Sequence, residues 1–136
     1  MYRVFFLLAW GFAATAQAQT AATLTLACKG TVTSSLDSKP EPLSMGLIIN
    51  FTTRTVHGFG VPGADYPVTI TAADDVIVTF SGEYKEPPFS TDSIGGTIDR
   101  VTGALEATAR SYDEMNHKTL SVMSYSLQCR PAQRMF

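Results

Sequence analysis

The chain has 136 residues, a formal net charge of −2 and only 16% charged residues. A chain of this length is one domain, large enough to bury a core. Its basic residues are scattered singly and form no stripe that could neutralise phosphates, so nucleic acid and anionic membrane surfaces are excluded as predicted partners.

The beginning of the chain predicts a secretory signal peptide. Arg3 gives a basic start, residues 4–14 are apolar, and Ala16-Gln17-Ala18 is a small-x-small cleavage site. The apolar stretch is too short for a permanent anchor, and no later apolar run approaches the ~20 residues of a transmembrane helix. We therefore expect residues 1–18 to be removed, leaving a single domain over residues 19–136, periplasmic or secreted, with no membrane span.

Most of the mature chain shows a hydrophobic period of two. Apolar side chains recur at alternate positions over residues 24–28, 43–51, 76–80 and 123–129, which predicts strands with one buried face. The opposite faces carry Thr, Ser, Asn and Lys rather than an apolar band, as expected for a β protein surrounded by water. Eight strands are predicted, over residues 23–33, 43–51, 54–60, 67–72, 75–84, 93–99, 103–111 and 118–130.

Turn-forming residues separate these runs at short intervals. Tight turns are predicted at residues 38–42, 52–53, 61–65, 74–75 and 99–103, where Gly103 is suited to a positive φ. Two longer loops are predicted over residues 85–92 and 112–118. Short strands joined mainly by hairpins predict an all-β antiparallel meander, either closed as a barrel or folded as a sandwich.

The two cysteines favour the barrel. Cys28 and Cys129 both fall on predicted inward faces, and an even pair in an exported protein predicts a disulfide. Such a bond would bring the first and last strands side by side and remove the exposed edges of the sheet. Closing a loop of about 100 residues stabilises a fold by up to about 4.7 kcal/mol in the chain-entropy model.

No residue set predicts catalysis, a metal site or a cofactor. A GxSxG elbow is absent, and His57 and His117 lack the spacing of metal ligands. Adjacent carboxylates at Asp74 and Asp75 predict a hairpin turn, because neighbouring residues of a strand point to opposite faces and turn residues usually face water. We therefore expect no enzyme activity.

The candidate binding residues are Tyr84, Lys85, Phe89 and Arg100. The segment from Tyr84 to Phe89 contains two consecutive prolines between aromatic residues, so it would present apolar area at low entropic cost. Rigid aromatic side chains on a loop suit a binding surface. The same features suit a loop that folds Phe89 back as a plug over one end of the barrel, and the plug is the favoured interpretation of the two. Arg100 lies in the predicted hairpin loop 99–103.

Two resemblances extend this interpretation. Cys28-Lys29-Gly30, the stretch from Gly96 to Gly103 and the ending from Tyr125 to Phe136 resemble small exported hypothetical proteins of alphaproteobacteria, a likeness that implies export but no function.

Ser81-Gly82-Glu83-Tyr84 is similar to the Ser-Gly-x-x-Tyr recognition motif of the periplasmic C-type lysozyme inhibitors, which are eight-stranded barrels with a disulfide. The stretch here is one residue shorter than the motif. The resemblance implies that Ser81, Tyr84 and Lys85 would face a lysozyme cleft.

The sequence therefore predicts a non-catalytic binding or envelope-associated module that uses its loops or the mouth of a barrel. Inhibition of a wall-degrading enzyme, and carriage of a small apolar ligand or hydrolysis within a hollow barrel, are the alternatives. Small inward residues (Gly96, Ala107 and Ala109) leave room for a cavity, whereas the larger Phe51, Phe80, Met123 and Tyr125 could fill it. The expected partner is a protein or a small apolar ligand.

Overall fold

The computed structural model describes residues 22–59 and 67–132. The predicted signal peptide and the predicted turn at residues 61–65 lie outside these ranges. The strands are β1 (Thr23–Ser34), β2 (Glu41–Asn50), β3 (Thr55–His57), β4 (Val68–Ala73), β5 (Ile77–Glu86), β6 (Ser90–Asp99), β7 (Ala104–Asp113) and β8 (Lys118–Pro131). Within the described ranges, no helix has the length and apolarity that crossing a membrane would require.

The eight strands form a closed antiparallel barrel in sequence order. Each strand pairs with the next, and β1 pairs with β8 to complete the circle. The predicted meander barrel is confirmed, and the sandwich alternative is wrong. Closure gives every described strand a hydrogen-bonded neighbour on each side. The β2–β3 pairing covers only Ile48–Asn50 of β2, and the β3–β4 pairing covers only Thr55 and Val56 of β3.

The predicted disulfide lies at the junction of the first and last strands. Cys28 and Cys129 are directly opposed in the β1–β8 pairing. Their sulfur atoms are bonded, their Cα atoms are 4.0 Å apart, and 101 positions separate them in sequence. Both side chains are buried, as the alternation predicts.

The core fills one end of the barrel. Inward residues pack there without a buried polar or charged side chain among those described. Fully buried side chains from four strands meet in it: Leu47, Ile49, Val56, Val78, Phe80 and Leu105. We call this the closed end; its turns are residues 51–54, 74–76 and 100–103. The opposite end, which we call the mouth, carries the connections 35–40, 87–89 and 114–117.

Strand lengths differ most from prediction at the mouth. β5 and β6 remain paired as far as Glu86 and Ser90, so the predicted loop over residues 85–92 is wrong, and only residues 87–89 form the turn. β7 likewise runs to Asp113, which shortens the second predicted loop. These strand ends stand above the core, where neither face is fully buried, and hydrophobic alternation therefore gives no signal. β3 is shorter than predicted and ends at His57.

Candidate ligand-binding site

A cavity of about 550 Å³ occupies the mouth half of the barrel and is partly open to solvent. Among the described residues, its lining comes from four strands (β2, β6, β7 and β8) and from the segment that follows β3. The lining residues are Leu43, Met45, Gly58, Phe59, Asp92, Ser93, Ile94, Ala109, Arg110, Ser111, Ser121, Met123 and Tyr125. The volume lies within the range of small-molecule sites, and the lining is mostly apolar with a few polar groups, as such sites generally are.

Phe59 forms the floor of the cavity. Its ring stacks on that of Phe80 at 5.1 Å between centroids and meets the Tyr125 ring edge-on at 6.2 Å. Gly58 allows the chain to turn inward here: its φ is +125°, and a Cβ atom would collide with the carbonyl oxygen of Gly46. Phe59 is therefore the boundary between the packed core and the open chamber above it.

The walls of the chamber are formed by side chains that can adapt to a guest. Met45 and Met123 contribute flexible, polarizable thioethers, and both remain partly accessible. Ala109 opposes Met123 in the β7–β8 pairing, and its small side chain leaves space at that level. The Tyr125 hydroxyl lies 4.0 Å from the Met123 sulfur. Burial raises the pKa of Tyr125, which keeps its phenol neutral and able to donate a hydrogen bond.

A polar row crosses the upper wall in register. Asp92 opposes Ser111 across β6 and β7, and Ser111 opposes Ser121 across β7 and β8. Directly opposed residues point to the same face of a sheet, and Asp92 shares the inward face of β6 with the buried Ile94. All three polar side chains line the cavity. None of the three makes a side-chain hydrogen bond or ion pair within the described residues, so their acceptor atoms are available to a guest.

Charge around the mouth is predominantly acidic. Among the described residues of this end, the acidic side chains are Asp37, Glu41, Glu83, Glu86, Asp92, Asp113 and Glu114, and the basic ones are Lys39, Lys85, Arg110 and Lys118. One basic group is already paired, because the Lys85 ammonium lies 2.9 Å from the Glu83 carboxylate.

Three of the four predicted binding residues lie at the mouth. Tyr84 is 44% exposed and opposes Asp92, at the upper margin of the cavity. Lys85 is on the neighbouring outward position. Phe89 is 58% exposed at the tip of the β5–β6 turn, so its ring does not plug the barrel and the favoured plug interpretation is wrong.

The fourth predicted residue, Arg100, lies at the closed end. Its guanidinium is 5.3 Å above the Phe51 ring and donates a hydrogen bond of 2.6 Å to the carbonyl oxygen of Asp74. These contacts join the turn of Arg100 to the turns next to Phe51 and Asp74, so that all three described turns of the closed end are linked. The structure therefore does not bring Arg100 together with Tyr84, Lys85 and Phe89.

The large residues predicted to fill the barrel interior do not all have the same position in the structure. Of the large residues expected to fill the barrel, Phe80 does so, whereas Met123 and Tyr125 line the chamber. The sequence interpretation did not single out Phe59 or Asp92. Asp92 could have been found by continuing the alternation of β6 beyond Ile94 towards the mouth.

The other residues considered for catalysis or metal binding do not come together in a site within the described residues. His57 is exposed on β3 and His117 lies in the turn before β8, on the opposite side of the barrel. Across residues 22–59 and 67–132, no group of three or more His, Cys, Asp or Glu side chains is placed to hold a metal ion. Asp74 holds a turn instead, accepting hydrogen bonds of 2.7 Å from the amides of Val76 and Ile77.

The chain gives no significant match to a protein-family model, a curated protein or a solved structure.

Proposed function

We propose that this chain is an exported, non-catalytic binding protein that takes a small, largely apolar ligand into the mouth of its barrel. The observation that carries the proposal is the 550 Å³ cavity, with its floor at Phe59 and its methionine-lined walls. Transfer of apolar ligand surface from water into such a chamber is favourable by roughly 25 cal/mol per Å² before the costs of association. Most of the described residues that line the cavity lie on strands of the closed barrel, which hold them in place.

The arrangement supports binding rather than turnover. Among the described residues, the polar side chains that line the cavity are the Asp92 carboxylate, serine hydroxyls, the Tyr125 phenol and an exposed Arg110, without a histidine. None of these serine hydroxyls makes a hydrogen bond to a side-chain base within the described residues, and a serine without such a hydrogen bond is a poor nucleophile at neutral pH. These groups suit recognition of a polar end of the ligand.

Binding of N-phenyl-1-naphthylamine, a neutral apolar fluorophore, tests the proposal. The purified chain without residues 1–18 should enhance its fluorescence with one-to-one stoichiometry. Ala109→Phe places a ring inside the chamber and should weaken binding at least about tenfold. Thr108→Phe, on the outward position of the same strand, is the matched control and should bind as the parent does. Absence of binding, or equal binding by the Ala109→Phe variant with its fold intact by circular dichroism, would overturn the proposal.

Removal of the signal peptide is tested separately, by mass spectrometry. Protein purified from its own host should have the mass of residues 19–136 with its cysteine pair oxidised, and native mass spectrometry should retain a small adduct that denaturation releases. A mass that includes the first 18 residues would contradict removal of the signal peptide.

Docking of the mouth on a protein partner is the second candidate, and it includes inhibition of a wall-degrading enzyme. Three mouth connections each present one exposed apolar side chain: Leu36, Phe89 and Met115. The lysozyme-inhibitor resemblance has less local support, because Ser81 and Tyr84 lie within β5 and point to opposite faces. Nanomolar inhibition of lysozyme, lost in a Tyr84→Ala/Lys85→Ala variant, would favour this candidate. No inhibition at micromolar protein would exclude lysozyme as the target.

A further inference from the structure

We infer that the ligand of the chamber is a cationic amphiphile, with an apolar chain or ring system above Phe59 and an amine head at Asp92. This inference rests on the proposed function, since it assigns a chemical class to the guest of that cavity. It depends on two features of the wall: where its apolar part ends, and which polar groups come next.

The chamber is amphipathic along the barrel axis. Its deeper part is bounded by Phe59, Tyr125 and the two methionines, and its upper part by the polar row Asp92, Ser111 and Ser121. A wholly apolar guest would cover the Asp92 carboxylate without replacing its hydrogen bonds to water, which is unfavourable. A ligand whose head group carries several hydrogen-bond donors can bond to Asp92, Ser111 and Ser121, while its apolar part is buried in the deeper part of the chamber.

The charge of the chamber wall indicates that the ligand's head group is positively charged. Asp92 is half-buried and has no ion-pair partner among the described residues, so an ammonium group placed there meets an uncompensated carboxylate. Attraction between opposite charges is stronger at such a partly water-excluded position than in bulk water. The acidic excess around the mouth acts in the same direction and lowers the local concentration of anions.

Arg110 is the group that could favour the opposite sign, because it also lines the cavity. It is exposed and occupies the outward-alternating position between Ala109 and Ser111 on β7. Its long side chain can extend into water, whereas Asp92 is fixed on the inward face by the strand pairing. The geometry therefore ranks a cationic head above an anionic one.

Three ligands with one alkyl chain and different heads test the inference: decylamine, decanol and decanoic acid. At about pH 7 the amine is protonated and the acid ionised. Dissociation constants are measured by calorimetry below the concentrations at which the ligands aggregate. The ε-methyl NMR signals of Met45 and Met123 report entry into the chamber, and that of the exposed Met115 is an internal reference. We expect the amine to bind at least about tenfold more tightly than the acid, with the alcohol between them.

Asp92→Asn retains the shape of the side chain and removes its charge, so the amine should lose its advantage over the alcohol while alcohol binding stays within about threefold. Asp75→Asn removes one negative charge at the closed end and is the matched control, which should keep the parent ranking. If the alcohol binds and the amine does not bind more tightly, the inference fails and the proposed function stands. Tighter binding of the acid would also overturn the inference and assign the head to Arg110. If none of the three ligands binds, both fail.

Discussion

At the scale of single residues, two phenylalanines illustrate how position decides the role of the same side chain. Phe80 is 1% exposed at the centre of the core, below the floor of the chamber. Phe89 is 58% exposed at a turn of the mouth. The difference follows from the inward phase of β5 in one case and from a turn between strands in the other.

Replacement of Phe80 by alanine should therefore lower the free energy of unfolding by about 3–5 kcal/mol, through lost burial and the cavity left behind. Urea denaturation followed by circular dichroism measures this change. Phe89→Ala removes the same atoms from an exposed position and should change the stability by less than about 1 kcal/mol. A small effect at Phe80 would contradict the position of this ring in the core.

At the scale of secondary-structure elements, four hairpin turns begin with the same pattern of hydrogen bonds between a side chain and the backbone. The side-chain oxygen of Asn50, Asp74, Asp99 or Asp113 accepts hydrogen bonds from the backbone amides two and three residues further on. Such Asx turns satisfy amides that no neighbouring strand reaches. The third of these turns ends at Gly103, whose φ of +78° confirms the predicted positive value.

These hydrogen bonds give the turns a dependence on pH. Hydrogen bonds from backbone amides lower the pKa of Asp74 and Asp99 below the usual aspartate value of 3.8. For Asp113, the largest lowering of the pKa comes from the Asn116 side chain and backbone amide. Since the folded pKa is lowered, the stabilisation is fully present above the unfolded value near 3.8 and is lost as the pH falls through the lower folded pKa.

We expect the stability of the parent to fall as the pH decreases below about 4. A variant with Asp74→Asn, Asp99→Asn and Asp113→Asn should show a weaker dependence there, because amide side chains retain an acceptor but do not titrate. Urea denaturation at a series of pH values between about 2 and 6 measures the slope. Asn50→Asp is the matched control and should make the dependence steeper. Equal slopes in the parent and the triple variant would contradict the assignment.

At the scale of the whole molecule, the disulfide holds together the one strand pair that joins opposite ends of the sequence. Cys28→Ser/Cys129→Ser should cost about 2–5 kcal/mol of unfolding free energy, because the unfolded chain regains the freedom that the cross-link removes. Thermal and urea unfolding in oxidising and reducing buffers measure the effect. The reduced parent should resemble the double variant, and a melting temperature that is the same in all cases would contradict a stabilising bond.

The barrel and its disulfide could be predicted because their residues are buried on one face only. Leu26, Leu47 and Leu127 are each buried between two more exposed neighbours, and both cysteines continue that alternation. The chamber could not be predicted in the same way. Its volume depends on how deeply Phe59 enters the barrel, and Phe59 follows a glycine in a segment without alternation.

The ends of β5 and β6 were missed for a related reason. Lys85 and Glu86 face Thr91 and Ser90 in a ladder that water reaches from both sides. Backbone hydrogen bonds, rather than apolar burial, define the strands here. Hydrophobic alternation indicates only strands with one face packed on a core. At the mouth the barrel wall extends beyond the core, so alternation does not mark the ends of β5 and β6.

The pairing of β1 with β8 has a consequence for the order of events in folding. Leu26 faces Pro131, so the first strand obtains its second neighbour only when the last strand is present. Until then both strands expose an unsatisfied row of amides and carbonyls, and joining them requires one of the longest loop closures in the chain. We expect closure of this seam to be a late step, and the interval before it to be the period in which the chain is most exposed to pairing with other molecules.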